Sequence, residues 1–281
     1  MEPITISSIN DLIKWNSTLS KDKNEVRFLF RGVTDEKYEL KPKLYRDIKQ
    51  GSAEIIKARI RRRVNLLEDY LKIHLPAYGY DFHGLSEKGR LWREIFLAQH
   101  YGAATNLLDF TRNPMVAAYF AAKNSKNKKN GKIYAIRIQE QDWYSNRKFD
   151  PHELSYNIAS YDLLSEKRKI DKKNFNGWSP YELKRPIFVV PPILDKRIQA
   201  QIGLFCCLPI NEKTSLIDYP EFKVENKNEP GFIQEFIIES NNKVNILDEL
   251  NKTGVNHMSL FPDMNGFGEF VSWKLMNDKI S

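Results

Sequence analysis

No stretch of this chain approaches the roughly 18 consecutive apolar residues of a membrane-spanning helix, and mean hydropathy is −0.54. A membrane-embedded fold is therefore not expected. Cysteine is almost absent: Cys206 and Cys207 are the two present, and they are adjacent. Sequence neighbours can build neither a disulfide framework nor a zinc finger, so they read as two buried thiols on one strand. The opening Met1-Glu2-Pro3-Ile4-Thr5 lacks the basic-then-apolar pattern of a signal peptide, and a reducing cytoplasm is expected. Gly-rich phosphate loops, a dinucleotide fingerprint, H-E-x-x-H and G-x-S-x-G are all missing. The five histidines (His74, His83, His100, His152, His257) are dispersed, none at metal-ligand spacing from a cysteine; no metal is expected.

What is there suffices for a large core. The 281 residues are 41% hydrophobic and 12% aromatic, and a chain of this length buries most of its surface without staples. The 44 Lys+Arg against 36 Asp+Glu leave a charge of +8, which favours anionic partners such as nucleic acid or a nucleotide. Residues 26–33 read as a strand ending at Arg31-Gly32. Ile56, Ile60, Val64, Leu67, Leu71 and Leu75 recur at helical spacing and predict a long helix over 53–75. Further helices are expected over 87–99, 115–123 (opened by Asn113-Pro114) and 243–252. Strands are expected over 105–111, 132–138, 187–190, 204–208 and 235–239. Residues 140–180 are polar and poorly legible. No repeat or long linker divides the chain, and strands and helices do not alternate regularly, so one α+β domain over 1–281 is expected.

Three polar clusters interrupt apolar segments. In Phe30-Arg31-Gly32, a guanidinium on a hydrophobic strand needs an anionic or acceptor partner: an internal ion pair with Asp109, or a bound phosphate. Gln99-His100-Tyr101-Gly102 and Asp109-Phe110-Thr111 precede the proline-opened helix. There, Thr111 or Asn113 reads as a helix cap, His100 as a core histidine, or the helix start as an anion site. In Arg197-Ile-Gln-Ala-Gln201-Ile-Gly203, an extended backbone puts both glutamines on one side. A helical backbone pairs Gln201 with Arg197 instead.

These residues resemble the FRG domain family, named for a Phe/Tyr-Arg-Gly motif. Phe30-Arg31-Gly32 matches it, followed by Tyr38, Leu40, Pro42 and Leu44-Tyr45-Arg46. The stretch from Gln99-His-Tyr-Gly through Leu-Leu-Asp109-Phe-Thr111 to Pro114 is similar to the family's second signature, with Ala103-Ala104, Asn106 and Phe110 where Leu-Pro, Arg and Trp are usual. Arg197…Gln201-x-Gly203-x-Phe205 and Leu260-Phe-Pro-Asp263 are similar to two later marks, so the resemblance runs over about 26–266. A remoter similarity to ADP-ribosyltransferases follows the same path. Arg31 matches the first mark; Asp109-Phe110-Thr111 with Val116-Ala117 and Phe120 looks like the second. Gln199-Ala200-Gln201 stands where a Glu-x-Glu would be.

The resemblance implies an ADP-ribosyltransferase-like fold with a split, mainly antiparallel mixed sheet, and NAD⁺ as co-substrate without a metal. On it, Arg31 holds a phosphate, Thr111 orients the ribose or nicotinamide, and Gln201 contacts the ribose or acceptor. Asp109 and His100 supply charge or a base. Gly32, Tyr45, Gln99, His100, Tyr101 and Phe120 complete the NAD⁺ site. A bacterial anti-phage or toxin–antitoxin setting, with a neutralising partner, is implied too. The cationic patches at Arg59, Arg62 and Arg63, at Lys126, Lys128 and Lys129, and over 167–173 favour RNA as acceptor. Tyr134, Trp143, Tyr144 and Phe149 are the aromatics expected to stack on its bases. NAD⁺ hydrolysis, protein modification and non-catalytic recognition of a nucleotide or partner are the alternatives.

Overall fold

The computed structural model describes residues 2–19, 27–80, 87–124, 128–138, 159–161, 179–191 and 196–277. Its strands are Ile4–Ile6 (β1), Arg27–Val33 (β2), Leu107–Thr111 (β3), Gly131–Ile138 (β4), Ala159–Tyr161 (β5), Ile187–Val190 (β6), Gly203–Cys207 (β7) and Ile233–Ile238 (β8). Its α-helices are Ile9–Leu19 (α1), Ala53–His74 (α2), Glu87–His100 (α3), Pro114–Ala122 (α4), Lys196–Ala200 (α5), Lys243–Lys252 (α6), His257–Leu260 (α7) and Met264–Asn277 (α8). The strands form one sheet in the order β1-β8-β4-β2-β3-β7-β6-β5. Only the β1–β8 pair is parallel among those described. The mixed, mainly antiparallel sheet with flanking helices is thus present.

Period-two alternation assigns the two faces. Phe28 and Phe30 of β2 join α1, α4 and α6 in one cluster, centred on Leu12, Ala117, Ala121, Phe236 and Ile246. On the same face of the other half-sheet, Leu107, Phe205 and Cys207 meet Trp92, Ile95 and Phe96 of α3. Leu29 and Val33 point to the opposite face, where Ile60 and Val64 of α2 pack with Leu108, Phe110, Tyr134 and Ile136. Both cysteines are buried free thiols on β7, as expected. Helix α2 spans the segment its apolar spacing implied, yet of that stripe only Ile60 and Val64 are fully buried.

The sheet is narrowest at its centre. β2 pairs with β4 along its whole length, from Arg27↔Ile138 to Val33↔Lys132, but with β3 at the single register pair Phe30↔Thr111. The two halves stay joined at that pair. The Arg31 guanidinium supplies a bond in the gap that the backbones do not make. Its Nη1 donates to the Asp109 carbonyl at 2.6 Å and to Asp109 Oδ2 at 3.3 Å. Register places Arg31 on the Leu29 face and Asp109 on the Phe30 face, so the side chain threads the seam to reach its partner.

Helix α4 lies directly on β2 and β4. Asn113 caps it by accepting from Met115 N at 2.9 Å, Pro114 follows, and the helix is alanine-rich. A Cβ at Gly32 would overlap the Ala117 carbonyl oxygen and approach Ala121 N to 2.8 Å, and one at Gly131 would overlap the Ala121 carbonyl oxygen. The glycine of Phe30-Arg31-Gly32 is there for helix–strand approach. Gly32→Ala is expected to lower unfolding free energy by about 3 kcal/mol, the upper range for an overpacked core, read as the urea midpoint. An unchanged midpoint would show that α4 is not seated on this backbone.

Candidate functional site

Helices α3 and α4 cover the same sheet face on opposite halves, and a cleft of about 290 Å³ opens between them over the seam. Arg31, Gln99, His100, Asp109, Thr111 and Gln201 all line it, as do Gly32 and Phe120. Three segments, with Arg31 78 residues from Asp109 and Thr111 90 residues from Gln201, therefore meet in one opening. Arg31 has a side-chain exposure of 14%, Asp109 of 59%. Of the two partners considered for Arg31, the internal one is present: it pairs with Asp109 at 3.3 Å. Arg31 Nε is buried and has no hydrogen-bond partner among the described residues.

Asp109 is gripped from a second side. Gln99 Nε2 donates to both carboxylate oxygens, at 3.0 and 2.9 Å. Gln99 can turn its amide only one way, because its Oε1 accepts from Thr105 Oγ1 at 2.5 Å, and that hydroxyl accepts from Leu107 N. The chain Leu107–Thr105–Gln99 thus aims an N–H pair at Asp109, opposite the guanidinium. Asp109 is the one carboxylate among the described residues lining the cleft.

Thr111 is held differently from the expected role. Its hydroxyl donates to the Gln201 carbonyl at 2.8 Å and accepts from Asn113 N at 3.0 Å. With its single proton committed, it has no donor left for a ribose or an amide. Helix capping belongs to Asn113. Residues 196–200 are helical, so the extended reading with both glutamines on one side does not hold. Nor do Gln201 and Arg197 pair through side chains. Gln201 Nε2 donates to the Leu260 carbonyl at 3.1 Å, while Arg197 Nε donates to Asp263 Oδ2 at 2.6 Å. Ile202 then takes φ +47, a left-handed backbone that a β-branched residue adopts only under strain. That kink turns the chain from α5 into β7 beside Gln201.

Several expected contacts fall elsewhere. Tyr45 is fully buried on the opposite sheet face, its hydroxyl at 3.1 and 3.0 Å from the carbonyls of Leu208 and Pro209. Tyr101 is 63% exposed, outside the cleft lining, with its hydroxyl 3.0 Å from that of Tyr80. Gly32 lines the cleft but serves α4 packing. Arg59 Nη1 donates to the carbonyls of Lys49 and Gln50, and Arg63 Nη1 to those of Leu44 and Arg46. Both fasten the loop ahead of α2, whereas Arg62 is exposed. Lys129 pairs with Asp35 at 2.6 Å; Lys128 is exposed on the same loop. Tyr134 is buried and donates to the Tyr38 carbonyl, so it offers no face to a base. Lys126, the 167–173 cluster, Trp143, Tyr144 and Phe149 lie outside the described residues.

The far wall of the cleft sets the expected Phe120 beside Phe261 and Lys123, which were not among the expected site residues. Phe120 and Phe261 meet edge to face at 6.0 Å, bordered by Lys123 and Arg197. His257 stacks on Phe261 at 4.4 Å and is itself held between the Tyr119 hydroxyl (2.6 Å, at Nδ1) and Glu269 (3.0 Å, at Nε2). Burial pushes the Tyr119 hydroxyl up and the His257 imidazolium down. Both shifts keep the pair uncharged more readily than in water, with the imidazole placed between the tyrosine oxygen and the Glu269 carboxylate. The available signal was Phe261 inside Leu260-Phe-Pro-Asp263; nothing local marks Lys123.

Among known families, residues 26–130 match the model of the FRG domain. The match takes in Phe30-Arg31-Gly32 and the Gln99–Pro114 signature, and ends before the Arg197 and Leu260 marks. No curated protein and no solved structure matches the chain.

Tyr45→Phe separates the fold from the site. It removes one buried donor from a carbonyl pair and is expected to cost about 1 kcal/mol of stability, leaving any ligand affinity unchanged. A calorimetric titration in which this variant loses ligand while keeping its melting temperature would return Tyr45 to the site.

Proposed function

We propose, from the match of residues 26–130 to the FRG domain model, that the seam cleft binds NAD⁺ and that the protein is an ADP-ribosyltransferase-like enzyme. The observation behind this reading is the convergence of Arg31, Asp109 and Gln201 from three distant segments on one cationic cleft holding a single described carboxylate. Arg31, Lys123 and Arg197 bias the opening toward an anion. At about 290 Å³ it lies at the low end of small-molecule sites (roughly 300–1,000 Å³), so part of a dinucleotide would extend into solvent.

In this reaction the bond between ribose C1 and the nicotinamide nitrogen breaks, and nicotinamide leaves with the electron pair. The ribose becomes oxocarbenium-like, and an acceptor oxygen or nitrogen adds to it while giving up a proton. Asp109, fixed by Arg31 and Gln99, is the group suited to stabilise that cation or take the proton. Gln201 stands in place of a carboxylate, with an amide oxygen to offer the ribose. His100 is the second base available. Arg31 acts on this scheme by positioning Asp109.

RNA is the acceptor we favour, on the +8 charge and exposed cations such as Arg62 and Lys128. A cytoplasmic toxin with a neutralising partner is the setting this reading carries from the resemblance. The second reading, non-catalytic nucleotide recognition, draws on Gln201, because a neutral amide stabilises a cation less than a carboxylate does.

Incubation with labelled NAD⁺ and total RNA or protein tests the proposal. Label on RNA is the expected result; free ADP-ribose marks hydrolysis, and an unchanged NAD⁺ pool leaves recognition alone. Asp109→Asn keeps the carbonyl bond to Arg31 but leaves its charge unmet, so it is expected to lower the melting temperature and, assayed where the variant is still folded, to lower turnover about 10²- to 10⁴-fold. Undiminished turnover would remove Asp109 from the chemistry.

A further inference from the structure

The cations bordering the cleft are not equivalent. Arg31 is matched by Asp109, and Arg197 closes on Asp263 through Nε and Nη2 while lying over the Phe261 ring. Lys123 is matched by nothing comparable: among the described residues its ammonium makes no ion pair and no hydrogen bond, and the Glu269 carboxylate acts on it only at longer range. It sits over two rings instead, 5.1 Å from the centre of Phe120 and 6.0 Å from that of Phe261. Burial pushes this ammonium down from the ordinary lysine range, and Glu269 partly offsets it. Ring faces attract a cation but do not replace water as hydrogen-bond partners for its three donors.

The cage around Lys123 is stiff. Lys123 is the residue that ends α4, and α4 is packed so closely on β2 and β4 that Gly32 and Gly131 leave no room for a Cβ beneath it. Phe261 is stacked on His257, which Tyr119 and Glu269 hold. A Cβ at Gly266 would overlap the Phe261 carbonyl oxygen, so the start of α8 lies tight against this wall. A half-buried charge with unfilled donors, held at a cleft wall by rigid neighbours, is arranged for an anion arriving from solution.

We propose that Lys123 is the phosphate-binding residue of the cleft, donating to a non-bridging oxygen of a nucleoside diphosphate while Phe120 and Phe261 limit water at the contact. The ligand class rests on the NAD⁺ reading above; the assignment moves the phosphate contact from Arg31 to the end of α4.

Isothermal titration of the full chain with ADP and with inorganic pyrophosphate tests it, since neither probe carries a glycosidic bond to nicotinamide. Lys123→Met keeps the aliphatic stem over the rings and removes the charge. It is expected to weaken both probes about 10- to 100-fold with an unchanged melting temperature, while Lys123→Arg retains affinity within a few-fold. Wild-type affinity in Lys123→Met, or no binding of either probe to the unaltered protein, would overturn the assignment. Loss of probe affinity in Lys123→Met, with no label transfer from NAD⁺ by the unaltered protein, sustains it and defeats the transferase reading alone.

Discussion

One guanidinium passing between two strands organises this molecule. The central strands β2 and β3 share a single register pair, and beyond it the halves of the sheet would be free to part. Arg31 crosses that gap and bonds both the backbone carbonyl and the carboxylate of Asp109. A largely buried guanidinium is costly unless its charge is met, so Asp109 must stay close. The contact that ties the half-sheets together also orients the acid at the floor of the cleft. Stability and chemistry are coupled at this position.

The cleft follows from how the two halves are covered. Helix α3 is anchored on β3, β6 and β7 through Trp92, Ile95 and Phe96, helix α4 on β2 and β4 through alanines set against Gly32 and Gly131. Neither helix can slide over the seam, because each is seated on its own half. The gap between them is floored by Asp109 and Thr111 and closed at the far side by α5, α7 and the start of α8. Arg197, Gln201, Phe261 and Asp263 come from that closing segment. Its position depends on the Thr111–Gln201 bond and on the strained Ile202 backbone.

Much of the framework was legible in the pattern of side chains. Period-two alternation marked β4 and a three-and-four spacing marked α2, since both patterns record which face is buried, while apolar runs bounded by Gly32 and Gly203 marked β2 and β7. Asn113-Pro114 marked the start of α4 through capping chemistry. Less visible were β1, α1, α7 and α8, which are short, half-exposed or weakly patterned, so that packing partners decide them. The 197–203 segment suited either a strand or a helix, and tertiary bonds to Leu260 and Asp263 chose the helix. Tyr45 read as a ligand contact because a motif cannot distinguish a core hydroxyl bonded to carbonyls from one facing a cleft. Arg59 and Arg63 read as a polyanion surface, yet nearby loop carbonyls were within their reach.

Composition and residue order alone determined the mixed architecture, the reduced and buried cysteine pair, the cationic balance and the placement of the polar clusters within apolar strands. Those properties are local, set by periodicity, capping and charge counts. Only the folded chain decided that Arg31 answers to Asp109, that the Thr111 proton is already committed, and that Lys123 has no ion pair among the described residues. The first two are a matter of which donor meets which acceptor across 78 and 90 residues, the third of which donor meets none among the described residues. Pairings of that kind are settled by how the halves of the sheet pack, and no window of sequence contains them.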